Sequence, residues 1–268
     1  MCLNPKWIKG LDFPVPCGKC VECRIMNSDV WAYRCMFESR YHKRSCFLTL
    51  TYNEENLPLN GNLCKKDFQD FMKRLRFYLD KQGVKIRYFG CGEYGAKRQR
   101  PHYHIIIFGW QPDDLQFWKL SDGIPLYLSE FLARVWKKGF ISVGRLSLKT
   151  VRYCSKYLVG APDNYAPLVS PFTLCSRRPG IGLQSIPKSV FESNKLWYDG
   201  RFIRTPKCYR DKMNFMEKEV FERVRDVGID KDMFEWQERL NQRREKFLKI
   251  FGETLDNQYR PIVYFNKK

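Results

Sequence analysis

The chain is predicted to fold as an α+β domain built on an antiparallel sheet, and three observations make that prediction. Stretches at 46–52, 84–93, 101–108 and 140–144 are rich in β-branched and aromatic residues and read as strands. Stretches at 67–79 and 128–138 carry apolar residues three and four apart and read as amphipathic helices. Between residues 93 and 101 lies a short basic loop containing Gly95, which joins its flanking strands as a hairpin and makes them antiparallel neighbours.

Taken in order, the chain opens with a cysteine cluster, Cys17, Cys20 and Cys23, with Cys2 upstream. Two overlapping C-x-x-C steps bring thiolates close enough to share one ion, so a structural zinc is a candidate here. Free thiols are the alternative, and either Cys2 or Cys35 could supply a fourth ligand. Eleven cysteines, an odd number, fit a reducing compartment better than a disulfide framework. Residues 28–43 read as a helix, with Trp31, Cys35, Met36 and Ser39 at helical spacing. In the strand at 46–52, Phe47, Thr49 and Thr51 share one face, and Leu48, Leu50 and Tyr52 the other. The helix at 67–79 turns Phe68, Phe71, Met72, Leu75 and Leu79 inward and ends before Gly83. The helix at 128–138 turns Phe131, Leu132, Val135 and Trp136 inward, with Gly139 as its C-terminal signal. Strand, helix, strand, strand, helix, strand is the ferredoxin-like order, for which helices are expected on one face of the sheet. Ser147 can cap a helix running to residue 159. Residues 197–209 read as a hairpin turning at Asp199-Gly200, and residues 212–249 as charged and mostly helical. The expected organisation is an N-terminal cysteine cluster and helix (1–45) packed on the core, the core itself (46–165), and a basic C-terminal extension (166–268).

The formal net charge is +19, from 48 Lys and Arg against 29 Asp and Glu, and aromatic residues make up 16% of the chain. So basic a chain implies a polyanionic partner, and abundant aromatic rings offer stacking surfaces for unpaired bases. No apolar run is long enough to span a bilayer and the N-terminus has no signal-peptide core, so no membrane association and a cytoplasmic location are expected. No G-x-x-x-x-G-K-[ST] occurs, which removes a P-loop NTPase from consideration.

The chemistry centres on Pro101 to Phe108. Of three histidines in the chain, His102 and His104 stand one residue apart. On a strand they point the same way, with Tyr103 opposite, and form a rigid pair of metal ligands. The hairpin brings Glu93 within reach as a third ligand. Two imidazoles and a carboxylate also suit zinc or non-haem iron. Downstream, Tyr153 and Tyr157 lie four apart, on one face of the Ser147-capped helix, with Lys156 on its flank; an ordinary amphipathic stripe is the plain alternative. Thr49, Thr51, Lys97, Arg98, Arg100, Arg177 and Arg178 are candidate contacts to phosphates or bases, the last two in a glycine-punctuated loop at 176–182.

These motifs together resemble the replication-initiation proteins of gokushovirus-type microviruses, within the HUH endonuclease superfamily. The resemblance rests on Phe47 to Tyr52, on Glu93 with His102-Tyr103-His104, and on Tyr153-Cys154-Ser155-Lys156-Tyr157. The cysteine run and the 176–182 loop also fit that branch. It implies an HUH core that nicks one strand of single-stranded or origin DNA with Mg2+ or Mn2+. A tyrosine would be linked to the 5′-phosphate, leaving a 3′-hydroxyl for host polymerase and helicase, and the second tyrosine would permit joining without ATP. The setting it implies is the cytoplasm of an infected bacterium. Two other functions are compatible with parts of the sequence. A non-cleaving single-stranded DNA-binding protein would need neither tyrosines nor metal, and a metal-dependent oxygenase or hydrolase of small molecules would leave the charge unexplained.

Overall fold

The computed structural model describes residues 2–9, 14–95, 99–121, 123–155, 167–184, 195–198 and 201–211. The chain forms two compact units, Ser28–Ser185 and a second made of Met1–Asn27 with Ile186–Lys268. The expected helices over 212–249 lie outside the described residues.

The larger unit is a seven-stranded antiparallel sheet with helices. In chain order its strands are β1 (Ser45–Tyr52), β2 (Arg87–Tyr94), β3 (Pro101–Phe108), β4 (Gln116–Ser121), β5 (Ile124–Leu128), β6 (Gly139–Arg145) and β7 (Phe172–Cys175). They lie side by side as β4-β5-β6-β1-β3-β2-β7. The helices are α1 (Val21–Ser39), α2 (Lys65–Asp80), α3 (Glu130–Trp136) and α4 (Leu148–Ser155). The four strands expected from patterning form the contiguous set β6-β1-β3-β2. β4, β5 and β7 are additions to that expectation. β4 is exposed along its whole length, so nothing in it needs to alternate, and β5 contains Pro125.

Alternation along β1 and β3 divides the core in two. Leu48, Leu50, Tyr52, Tyr103, Ile105 and Ile107 face one way and pack with Phe68, Phe71, Met72, Leu75 and Leu79 of α2 and with Leu132, Val135 and Trp136 of α3. Phe47, Phe89, Cys91, Ile106 and Phe108 face the other way, against Ala32 and Cys35 of α1 and Val151 and Cys154 of α4. Helices therefore cover both faces, which corrects the one-face expectation. The reason is visible in β3: its four residues from Ile105 to Phe108 are all fully buried, so both sides of the strand need cover.

Capping follows local chemistry. Ser129 Oγ accepts the Leu132 amide at the start of α3, and Ser147 and Thr150 exchange side-chain bonds with each other's amides at the start of α4. The left-handed residue ending α3 is Lys137, φ 60°, and not the expected Gly139. Gly139 begins β6, where an added Cβ would come within 2.4 Å of Thr51 O.

Two anchors tie the layers together. On the α2 side, Trp136 Nε1 donates to Thr51 O at 3.1 Å, and the Tyr103 hydroxyl bonds both the amide and the carbonyl of Cys64 at 2.9 Å. On the α1 side, buried Glu38 accepts from Arg87 Nε at 2.5 Å and from the Gly182 amide at 2.7 Å, while Arg34 Nε donates to Ile181 O at 3.0 Å. The glycine-punctuated loop is held by these bonds at its end. At its start it is held by Ser176, whose amide donates to Tyr88 O at 2.9 Å and whose hydroxyl accepts the Tyr88 amide at 3.1 Å, and Arg177 and Arg178 between them are exposed.

Trp136→Ala should lower unfolding free energy in urea by about 3–5 kcal/mol, because it empties a fully buried site, and Tyr103→Phe by about 1–3 kcal/mol, because it strands the Cys64 amide. Equal, small effects would contradict this division of the core.

Candidate active site

The site is set by strand register. In the β1–β3 ladder Thr49 stands opposite His104 and Thr51 opposite His102, while in the β2–β3 ladder Glu93 stands opposite His102. All five side chains therefore project from the same face of the sheet. Thr49 Oγ1 lies 3.1 Å from His104 Nδ1, and Thr51 Oγ1 lies 3.1 Å from His102 Nδ1. Phe47, two residues earlier on that face, stacks on His104 with ring centroids 5.5 Å apart and planes at 13°. Thr49 and Thr51, expected as nucleic-acid contacts, thus act here on the imidazoles.

Glu93 reaches along the face to His104: its Oε1 lies 2.8 Å from His104 Nε2. A carboxylate accepts this bond from His104 Nε2–H, and in a neutral ring with that tautomer Nδ1 accepts from the Thr49 hydroxyl. The hydroxyl can also accept. Should Nε2 turn to another electrophile, Nδ1–H would donate to Thr49 instead, and the ring would keep its place.

The tyrosine helix meets this cluster. Tyr153 donates its hydroxyl to Glu93 Oε1 at 2.8 Å, and its ring packs edge-on against His104 with centroids 4.9 Å apart. Tyr153 is 40% exposed, so one side of the phenol faces solvent. α4 is held there by Cys154, whose thiol points at His104 O at 3.4 Å, by Ser28 and Ser155 hydroxyls 2.9 Å apart, and by Arg152 Nε bonded to Asp29 at 2.9 Å. Burial and the neighbouring Glu93 charge push the Tyr153 phenol well above its ordinary value. Burial, then the neighbouring His104, lower the His102 imidazole, which keeps it neutral and able to ligate.

A divalent ion is implied by the donor types. In this conformation His102, His104 and Glu93 do not gather their donor atoms within 4.8 Å of one another, but one buried oxygen of the set is left for a cation. Glu93 is 1% exposed, and its Oε2 has no hydrogen-bond partner among the described residues. A buried carboxylate oxygen left bare is costly unless a cation or donor completes it. At Gly95 an added Cβ would fall 2.8 Å from His102 Nε2, so any other residue there would crowd that nitrogen. In this conformation His104, Glu93 and Tyr153 are in direct contact, and His102 stands beside them, its ring centroid 6.5 Å from that of His104.

The remaining expected site residues divide in three. Arg100 is already engaged, donating to Tyr52 O at 2.8 Å and pairing with Glu54, so it braces the hairpin against β1. Arg177 and Arg178 are exposed. Lys97, Arg98, Lys156 and Tyr157 lie outside the described residues. The third histidine, His42, is elsewhere, 3.2 Å from Glu38. Sequence reading missed Phe47 as the ring under His104; the only signal was its place two residues before Thr49 on one strand face. It also left open the fourth member of the cysteine cluster. That member is Cys2, not Cys35, which is buried among Ala32, Phe89 and Ile106 in the larger unit.

A family model described as a replication-associated protein of the ORF2 kind matches residues 45–161, the segment that carries every element of this site. The chain is 37% identical over 182 residues to the replication-associated protein ORF2 of Spiroplasma virus 4, covering 63% of this chain and 56% of that protein. It is 36% identical over 151 residues to the replication-associated protein VP4 of Bdellovibrio phage phiMH2K, covering 54% and 48%. With the replication-associated protein ORF4 of Chlamydia phage 1 it is 27% identical over 265 residues, covering 94% and 63%. The chain thus spans between about half and just under two thirds of the length of these relatives. No solved structure matches it significantly. Over its matched segment the chain is similar to the replication-associated proteins of these three viruses.

Proposed function

We propose that the chain initiates phage DNA replication by nicking one DNA strand and later rejoining it through a tyrosine-linked intermediate. The observation that carries this reading is Tyr153, a partly exposed residue whose hydroxyl lies 2.8 Å from the carboxylate that also holds His104. The strand order β6-β1-β3-β2, with α2 and α3 as crossovers, supports a ferredoxin-like HUH core.

Each residue has a role that follows from its contacts. His102, His104 and Glu93 would hold a Mg2+ or Mn2+ ion, which when bound draws charge from a non-bridging phosphate oxygen. Thr49 and Thr51 fix the imidazole orientations from behind. Tyr153 is the nucleophile: its phenol oxygen forms a bond to phosphorus as the bond from phosphorus to the 3′-oxygen breaks. Glu93 Oε1, already accepting the phenol hydrogen bond, is placed to take the proton, and the departing 3′-oxygen leaves as a hydroxyl after gaining one from solvent. The product holds the 5′-phosphate on tyrosine and frees a 3′ end for extension. Joining is the reverse attack by a 3′-hydroxyl, so the phosphodiester energy is kept and ATP is not needed. Tyr157, four residues on, is assigned as the second nucleophile and Lys156 as a nearby positive charge, both on sequence spacing alone. Arg177 and Arg178, exposed on a pinned loop, are proposed to contact the DNA backbone. Host polymerase and helicase, and the cytoplasm of the infected bacterium, follow from the same reading. Among the described residues no helix is long and apolar enough to cross a membrane.

Incubating the full chain with single-stranded circular phage DNA and Mn2+, then denaturing, should leave DNA bound to protein. The adduct should vanish in the Tyr153→Phe, Tyr157→Phe double variant and in His104→Ala. Retained DNA binding with no adduct in the unaltered protein would point instead to a non-cleaving single-strand binder.

Changing Thr49 and Thr51 together to valine should weaken Mn2+ affinity by about 10–100-fold, as loss of ligand-orienting partners does. Calorimetric titration measures it, and unchanged affinity would remove the threonines from the metal site. Affinity for single-stranded DNA should fall at least about tenfold between about 50 and 200 mM salt, since a basic surface binds by displacing counterions. A flat response in fluorescence anisotropy would count against phosphate recognition.

A further inference from the structure

The smaller unit contains a second constellation that the nicking chemistry does not use. Among the described residues, Cys2, Cys17, Cys20 and Cys23 form the one group of three or more candidate ligands whose donor atoms all lie within 4.8 Å of one another. No disulfide joins them. Cys2, Cys20 and Cys23 are buried, and Leu3 and Met26 pack around them.

The chain reaches this arrangement by local means. Lys6 and Val15 form a small antiparallel bridge, each amide donating to the other's carbonyl at 2.8 Å. That bridge brings Cys2, four residues before it, alongside Cys17, two residues after it. Gly18, φ +75°, then bends the chain so that Lys19 N and Cys20 N both point at Cys17 Sγ, at 3.4 and 3.3 Å. Cys20 immediately precedes α1 and Cys23 lies in its first turn.

Two features separate this cluster from four thiols that merely share a core. First, the sulfur spacing is that of a coordination shell: Cys17 Sγ to Cys23 Sγ is 3.9 Å, and Cys20 Sγ to Cys2 Sγ is 3.8 Å. A tetrahedron of sulfurs about 2.3 Å from a central zinc has edges of about 3.8 Å. Second, three of the sulfurs accept backbone amides: Cys17 from Lys19 and Cys20, Cys2 from Cys17 N at 3.2 Å, and Cys20 from Leu3 N at 3.3 Å. Amides directed at sulfur favour thiolate over thiol and are the outer layer that tunes a metal–thiolate site.

We propose that Cys2, Cys17, Cys20 and Cys23 form a closed tetrathiolate site for a structural zinc ion, with Cys2 as the fourth ligand. Four protein ligands leave no open position, so the ion ties residues 2–6 to the start of α1 and takes no part in strand transfer. The site is distinct in chemistry from the His102, His104 and Glu93 set: soft sulfur donors select zinc, and imidazole with carboxylate also accepts harder ions.

The test uses the full chain. Purified protein should carry one zinc that mercurial reagents release as they titrate four thiols. Replacing zinc by Co2+ should give intense thiolate-to-cobalt charge transfer with tetrahedral visible bands. Both signatures should persist in the His102→Ala, His104→Ala double variant and in Cys35→Ser, and Cys2→Ser should lower zinc affinity by more than about 100-fold. Should Cys2→Ser fold poorly, alkylation mass spectrometry on the unaltered chain decides. A chelator should speed modification of these four cysteines and leave the rate at Cys46 unchanged. Cobalt spectra without thiolate charge transfer, or alkylation rates indifferent to zinc and chelator, would overturn the site.

Discussion

Everything at the candidate active site depends on the pairing of β3 with the strands on either side. Because side chains alternate, the alignment of Thr49 with His104 and Thr51 with His102 also decides which residues enter the core. A slip of one residue would send the histidines into the layer shared with α2 and α3, and would turn Tyr103 and Ile105 outward. The register is enforced by that apolar layer: Leu48, Leu50, Tyr103 and Ile105 are fully buried against α2 and α3. Chemistry on one face is thus positioned by packing on the other.

The second constraint is electrostatic. Glu93 is almost fully buried, and two neighbours converge on one of its oxygens while the other stays bare among the described residues. Such a carboxylate favours the approach of positive charge, and together with burial it raises the Tyr153 phenol above its ordinary value. In the proposed reaction, reactivity and cation binding would both run through this single side chain. Threonine hydroxyls behind both imidazoles suit this coupling, because a hydroxyl can donate or accept as the ring changes partner.

Much of this is legible in the sequence. β3 is bounded correctly at both ends, since proline and glycine flank an unbroken apolar run. The histidine pair and its proximity to Glu93 follow from period two and a short hairpin, and a serine cap marks the start of the Tyr153 helix; that this helix meets the histidines comes from the family resemblance. Other features are hidden for physical reasons. β4 and β5 lack alternation, because one is wholly exposed and the other half-exposed with a proline. That α1 and α4 cover the second face is not legible, although both helices are, because α4 is short and α1 presents Ala32 and Cys35 rather than a broad apolar stripe. The intramolecular partners of the threonines and of Arg100 are not legible, because sequence shows what a side chain can bond but not which partner is nearer. Thr49 and Thr51 find imidazoles, and Arg100 finds Glu54 and the Tyr52 carbonyl. Cys2 can be chosen over Cys35 only once the Lys6–Val15 bridge is seen.

The central claim is that the phenol beside Glu93 is the group that takes up DNA. Trypsin separates it cleanly, because Arg152 and Lys156 bound the peptide Tyr153-Cys154-Ser155-Lys156 and leave Tyr157 to the next. Mass spectrometry of nuclease-trimmed, DNA-linked protein should therefore find nucleotide mass on the Tyr153 peptide. Nucleotide found only on peptides lacking Tyr153, in protein that has cleaved its DNA, would contradict that claim.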